Sequence, residues 1–199
     1  VTLPFSGSAD RNKEVIGDAL QPWFSTVSNI LEIGSGTAQH AVYFCRRFPT
    51  LRWWPSDRAD NLAVIRQRVA DSGLSNVEDA FELDVADAVR SPADSFDMAY
   101  SANTAHIMRQ SEVELMFRIT GSLLDAEGVF ALYGPFHYDG VHTAQSNLSF
   151  DQMLRQQAPH MGVRDKYVLD EFAQAAGLLP LDDIEMPSNN RLLLWRRST

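Results

Sequence analysis

The sequence predicts an α/β fold built on a mostly parallel sheet with helices on both faces. Three observations predict it. Short apolar runs alternate with stretches of helical periodicity, as strands joined by crossover helices require. The first such run ends in a Gly-Ser-Gly turn (Gly34, Ser35, Gly36) that leads into a helix. The chain closes with two strand-like segments separated by only Pro187-Ser188-Asn189-Asn190, short enough for an antiparallel hairpin.

Taken in order, Asn12 to Phe24 carries Ile16, Leu20 and Trp23 at helical spacing. Asn29-Ile30-Leu31-Glu32-Ile33 reads as a buried strand, and Thr37 to Phe48 returns to helix with Ala41, Phe44, Cys45 and Phe48 on one face. Leu51 to Pro55 is a second strand. Asp60 to Ser72 is a helix with Leu62, Ile65 and Val69 inward. Val77 to Leu83 and Phe96 to Ala102 are the third and fourth strands. Glu112 to Leu124 is a helix burying Leu115 or Met116, Ile119 and Leu123, with Gly128 at its exit. Val129 to Tyr133 is the fifth strand, followed by a long loop from Tyr133 to Asn147. Helices over Phe150 to Gln157 and Val168 to Ala176 precede the hairpin of Leu181 to Met186 and Arg191 to Arg196. This order gives a seven-stranded sheet and resembles the Rossmann-like class I methyltransferase fold; a plain dinucleotide-binding fold more often ends in a sixth parallel strand.

Length and composition fit one domain over residues 1–199: 45% of the chain is hydrophobic and 22% charged. No apolar run approaches the roughly 20 residues that span a bilayer. Val1 to Phe5 lacks a basic stretch followed by an apolar core, so no secretory signal is visible. Cys45, the only cysteine, reads as a small core residue, and a reducing, cytoplasmic setting is expected. The net charge of −9, with basic residues scattered, speaks against nucleic acid as partner and for a small molecule. No metal site is expected, because the histidines of the 133–147 loop lack a third ligand at suitable spacing.

Gly34 and Gly36 suit a sharp turn that a ligand approaches closely. Gln39 stands where a nicotinamide site would carry a third glycine, which counts against NAD. Asp57, at the end of the second strand, is placed to accept hydrogen bonds from both ribose hydroxyls of a nucleoside; capping the following helix is the other reading. Asp84 and Val85 follow the third strand, with Asp84 alternatively a plain loop carboxylate. Acids at the ends of three successive strands form a constellation rather than isolated charges.

The motifs Phe5-Ser6, Arg11-Asn12-Lys13-Glu14, Leu31 to Thr37 with His40, Trp54-Pro55-Ser56-Asp57, Ala102-Asn103 with His106-Ile107, and Leu132 to Phe136 make the chain similar to the DUF938 family. Ser146-Asn147, Phe150-Asp151, Gly162 with Arg164-Asp165, and Met186-Pro187 before Asn189-Asn190 extend the likeness over almost the whole sequence. Ala38-Gln39 and Thr104-Ala105 depart from the pattern. That family, also called methyltransferase-like 26, is grouped by fold with S-adenosylmethionine-dependent methyltransferases. The resemblance implies S-adenosylmethionine as cofactor, S-adenosylhomocysteine as product, and a methyl acceptor it does not name. It implies that Glu32, Gly34, Ser35, Gly36 and Thr37 hold the glycine loop and the cationic end of the cofactor, and that Asp84 and Val85 cover the adenine.

Around these, Asn12 either folds over the cofactor carboxylate with its neighbours or belongs to a solvated helix start. His40 is a cofactor-side or packing residue. Asn103 offers a carbonyl to the cofactor or acceptor. His106 is either the base or a structural histidine. Tyr133, Phe136 and Asn147 would line a substrate wall or lid. Arg164 either pairs with Asp165 or binds an acceptor carboxylate. The Asn/Asp-Pro-Pro-aromatic motif of many amino-methylating enzymes is absent after the fourth strand. Three function classes follow: a small-molecule methyltransferase, a non-catalytic S-adenosylmethionine-binding module acting through a protein partner, and an NAD-dependent oxidoreductase.

Overall fold

A computed structural model describes residues 3–87 and 91–198. Val1 and Thr2, which head the segment read for a secretory signal, lie outside the described residues. The chain divides into two compact units, Val1–Tyr100 and Ser101–Thr199. The first holds α1 (Gly7–Phe24), β1 (Asn29–Ile33), α2 (Gln39–Arg47), β2 (Arg52–Asp57), α3 (Ala59–Ser72), β3 (Phe81–Glu82) and most of β4 (Phe96–Ala102). The second holds α4 (Gln110–Leu123), β5 (Leu124–Gly134), β6 (Phe136–Tyr138), β7 (Val141–His142), α5 (Gln145–Gln157), β8 (Arg164–Asp165), α6 (Lys166–Ala175), β9 (Leu178–Met186) and β10 (Asn190–Arg197). The seven-stranded sheet runs β3-β2-β1-β4-β5-β10-β9. β1 pairs in parallel with β2 and β4, and β2 with β3, whereas β10 is antiparallel to β5 and β9. The expected sheet, with its C-terminal antiparallel hairpin, is therefore present.

β1 is buried from Ile30 to Ile33, as a strand covered on both faces must be. Its unit is packed around Phe24, Phe44, Trp53 and Tyr100, whose ring centroids lie 5.4–5.8 Å apart between Phe44, Trp53 and Tyr100. Each such buried ring contributes roughly 1.5–3 kcal/mol by transfer from water. The second unit is packed around Phe117, Phe130 and Trp195, with centroids 5.0–5.8 Å apart. Cys45 is buried in the first core, and burial pushes its thiol up to about 12, so it stays a packed, protonated side chain.

Several elements depart from their predicted bounds. α1 begins at Gly7, not Asn12, because the Ser6 hydroxyl accepts from the Ala9 N–H and caps it. The predicted strand from Val77 to Leu83 shrinks to Phe81–Glu82, with Val77 making a single bridge to Trp53. The buried face of α4 is Val113, Met116, Phe117, Thr120 and Gly121, whereas Leu115, Ile119 and Leu123 are only half-buried. The loop expected from Tyr133 to Asn147 is mostly ordered. β6 and β7 form a hairpin around Asp139 and Gly140, both at positive φ (50° and 75°), as a type I′ turn requires. β8 joins β6 in parallel to make a three-stranded sheet, β7-β6-β8. No helix among the described residues is long and apolar enough to cross a membrane.

Candidate cofactor site

In the first unit the turn after β1 is held from below. Gly34 and Gly36 have φ values of 76° and 54°, backbone that glycine adopts without strain. Gly34 and Ser35 both donate to the Ser56 carbonyl at 3.0 Å, and Gly36 donates to Asp57 Oδ2 at 2.7 Å. A Cβ on Gly36 would meet nothing within 4 Å, so the outer side of the turn is open.

Asp57 is buried at the end of β2. Besides Gly36, it accepts from the Arg58 N–H (2.8 Å) and the Asn61 side-chain amide (2.9 Å) through Oδ1. Three of the roughly four lone-pair sites of a carboxylate are thus used. The cap position of α3 is Arg58, not Asp57. Asp84 is half-buried: Oδ1 accepts from the Ala86 N–H, and Oδ2 faces Arg58 Nε at 3.4 Å. Val85 beside it is buried. Arg58 therefore links the ends of β2 and β3.

Glu32 is 2% exposed. Trp53 Nε1 donates to its Oε2 at 3.0 Å, and the carboxylate has no ion-pair partner among the described residues. Burial raises its pKa from 4.5 to about 7, opposed by the hydrogen bonds of Ser35 and Trp53. Such an acid is one that a nearby cation would return to its charged form.

Gln39 has a structural task. Its Oε1 accepts from the Ser6 N–H (2.6 Å) and the Thr37 hydroxyl (2.9 Å), and its Nε2 donates to the Ser6 carbonyl (3.2 Å), tying the start of α1 to the glycine turn. At the next residue, His40 Nε2 lies 2.8 Å from Asn12 Oδ1 and Nδ1 lies 3.2 Å from the Tyr100 hydroxyl. Asn12 is not at a solvated helix start; the helix begins five residues earlier and Asn12 is buried. Desolvation lowers the pKa of His40 to about 4, so its imidazole is neutral and both nitrogens are engaged by the protein.

In the second unit, Asn103 follows β4 in left-handed backbone (φ 59°), with its N–H on the Tyr133 carbonyl at 2.9 Å. His106 is buried, edge-on to Phe150 with centroids 5.2 Å apart. Neither of its ring nitrogens has a hydrogen-bond partner among the described residues, and burial, then the Arg164 charge, lowers its pKa to about 4. Tyr133 and Phe136 are buried. The Asn147 amide donates to Thr143 Oγ1 (3.0 Å) and to the Asn189 carbonyl (2.9 Å), which ties α5 to the hairpin turn.

Arg164 does not pair with Asp165. Its guanidinium donates to the carbonyls of Ala105, Met108 and His160. Asp165 instead accepts from the N–H groups of Gly140 and Tyr167, capping α6, and faces His137 Nδ1 at 3.0 Å. Among the described residues no three His, Cys, Asp or Glu side chains are grouped to hold a metal. Sequence reasoning missed the roles of Trp53 and Tyr100, since an aromatic in a strand or beside one carries no mark of its hydrogen-bond partner. The Asp139-Gly140 pair, by contrast, is a hairpin signal that was there to be read.

A family model described as a protein of unknown function, DUF938, matches residues 3–197. The chain belongs to the DUF938 family. Among solved structures, the DUF938 protein is similar to the S-adenosylmethionine-dependent methyltransferase SibL, with a TM-score of 0.80 at 21% identity over 96% of this chain and 56% of that one. An O-methyltransferase family protein from Burkholderia thailandensis matches with a TM-score of 0.78 at 18% identity, over 96% of this chain and 60% of that one. Human N-acetylserotonin methyltransferase, in complex with S-adenosylmethionine, matches with a TM-score of 0.79 at 13% identity, over 96% and 53%. At these identities the likeness is one of fold, and the DUF938 protein has the class I methyltransferase fold. It spans little more than half the length of the structures it matches.

Proposed function

We propose that the DUF938 protein is an S-adenosylmethionine-dependent methyltransferase that acts on a small molecule, with residues 1–199 forming one methyltransferase-like domain. The observation that carries this reading is the first unit's glycine turn. It is open above Gly36, tethered by Asp57, and flanked by Glu32, a buried acid with no cationic partner among the described residues. These residues fit a cofactor with a positive centre and a nucleoside. Glu32 favours the cationic end, and Gly34, Ser35, Gly36 and Thr37 present backbone to it. Asp57 keeps one lone-pair site for a ribose hydroxyl, and Asp84 with Val85 covers the base. Asn12 and His40 hold α1 against α2 through their mutual hydrogen bond.

Bound there, S-adenosylmethionine supplies an electrophilic methyl group and leaves as S-adenosylhomocysteine. In the second unit, His106, buried, neutral and without a partner on either ring nitrogen among the described residues, can accept a proton from an acceptor that must lose one. The acidic balance of the chain favours a small acceptor over nucleic acid. Gln39, which is committed to Ser6 and Thr37 where a nicotinamide site has glycine, disfavours NAD.

Calorimetric titration with S-adenosylmethionine, S-adenosylhomocysteine and NAD in parallel tests the reading. Micromolar binding of the first two, with none of NAD, is expected. Binding of NAD alone, or of none, overturns it. An acceptor screen then separates an enzyme from a module that binds the cofactor and turns nothing over.

A further inference from the structure

A guanidinium taken out of water loses several kcal/mol of solvation unless its donors are satisfied. Arg164 is 9% exposed and makes no ion pair among the described residues. The hydrogen bonds it donates all go to backbone carbonyls. Nε donates to Ala105 at 2.9 Å, and Nη2 donates to both Met108 and His160, the latter at 3.0 Å. Ala105 and Met108 bracket His106. From the same segment, the Gly162 N–H donates to the carbonyl of His106 itself at 2.9 Å. The turn from Ala105 to Met108 is thus gripped at both ends and in the middle by residues 160–164.

We infer that Arg164 is a positioning residue for His106, its guanidinium clamping the turn that carries the imidazole and holding a fixed positive charge beside it. The inference rests on the reading of His106 as a proton acceptor, and it gives Arg164 a task other than binding an acceptor carboxylate. A planar fork that reaches three carbonyls is a geometry lysine cannot reproduce. The charge has a separate consequence. Among the groups around His106, Arg164 is the one whose field opposes protonation of the imidazole, in the same direction as burial. The charged groups around Arg164 itself are Arg155 and Asp151 of α5 and Glu112 of α4; Phe150, which meets the imidazole from α5, is uncharged.

The test uses the full chain without cofactor. The five histidines are labelled and followed by NMR as pH is varied, with His106→Gln identifying the resonance in question. In Arg164→Met, the proton affinity of His106 should rise by up to about tenfold, one unit of pKa, while His40 is unmoved. In Arg164→Lys, which keeps the charge, His106 should still titrate low. The amides of Ile107 and Met108 should then exchange at least about tenfold faster, because the fork is lost. A folded Arg164→Met variant with unchanged His106 titration overturns the inference. If that variant does not fold, Arg164→Lys decides: wild-type exchange at Ile107 and Met108 overturns it equally. Neither readout involves S-adenosylmethionine, so failure here is distinct from failure of the calorimetric titration.

Discussion

At the scale of single residues, Asp57 shows how one side chain serves both fold and site. Its carboxylate joins the glycine turn, the end of β2 and the first turn of α3 through Gly36, Arg58 and Asn61. Replacing it with alanine leaves two backbone N–H groups and an amide without their acceptor. Such a loss costs about 1–3 kcal/mol, so Asp57→Ala should lower the urea midpoint by a corresponding amount. On the proposed reading it also weakens S-adenosylmethionine, by roughly tenfold or more, since charge-assisted bonds are worth about 1.5–3 kcal/mol. A midpoint equal to wild type would show that the tether contributes nothing. An altered midpoint with undiminished affinity would confine Asp57 to the fold.

At the scale of elements, packing overrides propensity at Gly121 in α4. Alanine is about 1 kcal/mol better than glycine inside a helix, so propensity alone predicts that Gly121→Ala stabilises. A Cβ there would lie 2.2 Å from the carbonyl oxygen of Ala176, at the end of α6. Overpacking of this kind costs about 1–3 kcal/mol, and thermal unfolding of Gly121→Ala should show a net loss; a gain would mean that α6 yields freely. Elements were legible where their signal is local. β1 spans the predicted Asn29 to Ile33, and the last hairpin is where Pro187 to Asn190 placed it. They were illegible where the signal depends on a distant partner. Ser6 to Asp10 is a small, polar run that reads as loop until Gln39 binds Ser6 from 33 residues away. On α4 Met116, one of the two residues offered at its position, is buried, but the rest of the face is one residue out of phase with Ile119 and Leu123, because Phe117 packs between Phe130 and Trp195. The acids of the candidate site stand in or just after the strands where the sequence pattern puts them, a matter of topology. The expected Arg164–Asp165 pair is absent because the partners of Arg164 are carbonyls, which every residue carries.

At the scale of the whole molecule, three buried groups set opposing trends of stability with pH. The pKa of Glu32 is raised from 4.5 to about 7 in the folded chain. Between those values the folded state holds more protons than the unfolded one, so Glu32 makes stability fall as pH rises, by on the order of 3 kcal/mol in all. His40 and His106 are lowered from 6.5 to about 4. There the unfolded state holds more protons, so each makes stability rise with pH across that window and fall away as pH drops through it, again by on the order of 3 kcal/mol. Asp151 and Asp165, held below 3.8, act below this range. From pH 4 to 7 the wild type should therefore gain about one histidine's worth of stability, because Glu32 cancels the other. Glu32→Gln keeps the shape and removes the titration. It should match the wild type near pH 4 and become more stable by a few kcal/mol above pH 7, with a steeper rise between. If Glu32 is kept for a cationic ligand, the same variant binds S-adenosylmethionine more weakly while folding more firmly, an exchange of stability for function at one buried acid. Urea unfolding of both proteins at constant ionic strength, from pH 4 to 8, measures the difference and removes the shared self-repulsion of an acidic chain. Parallel curves across pH 4.5 to 7 would mean that Glu32 titrates in the folded protein as it does in the unfolded one, and that its burial imposes no charge penalty for a ligand to relieve.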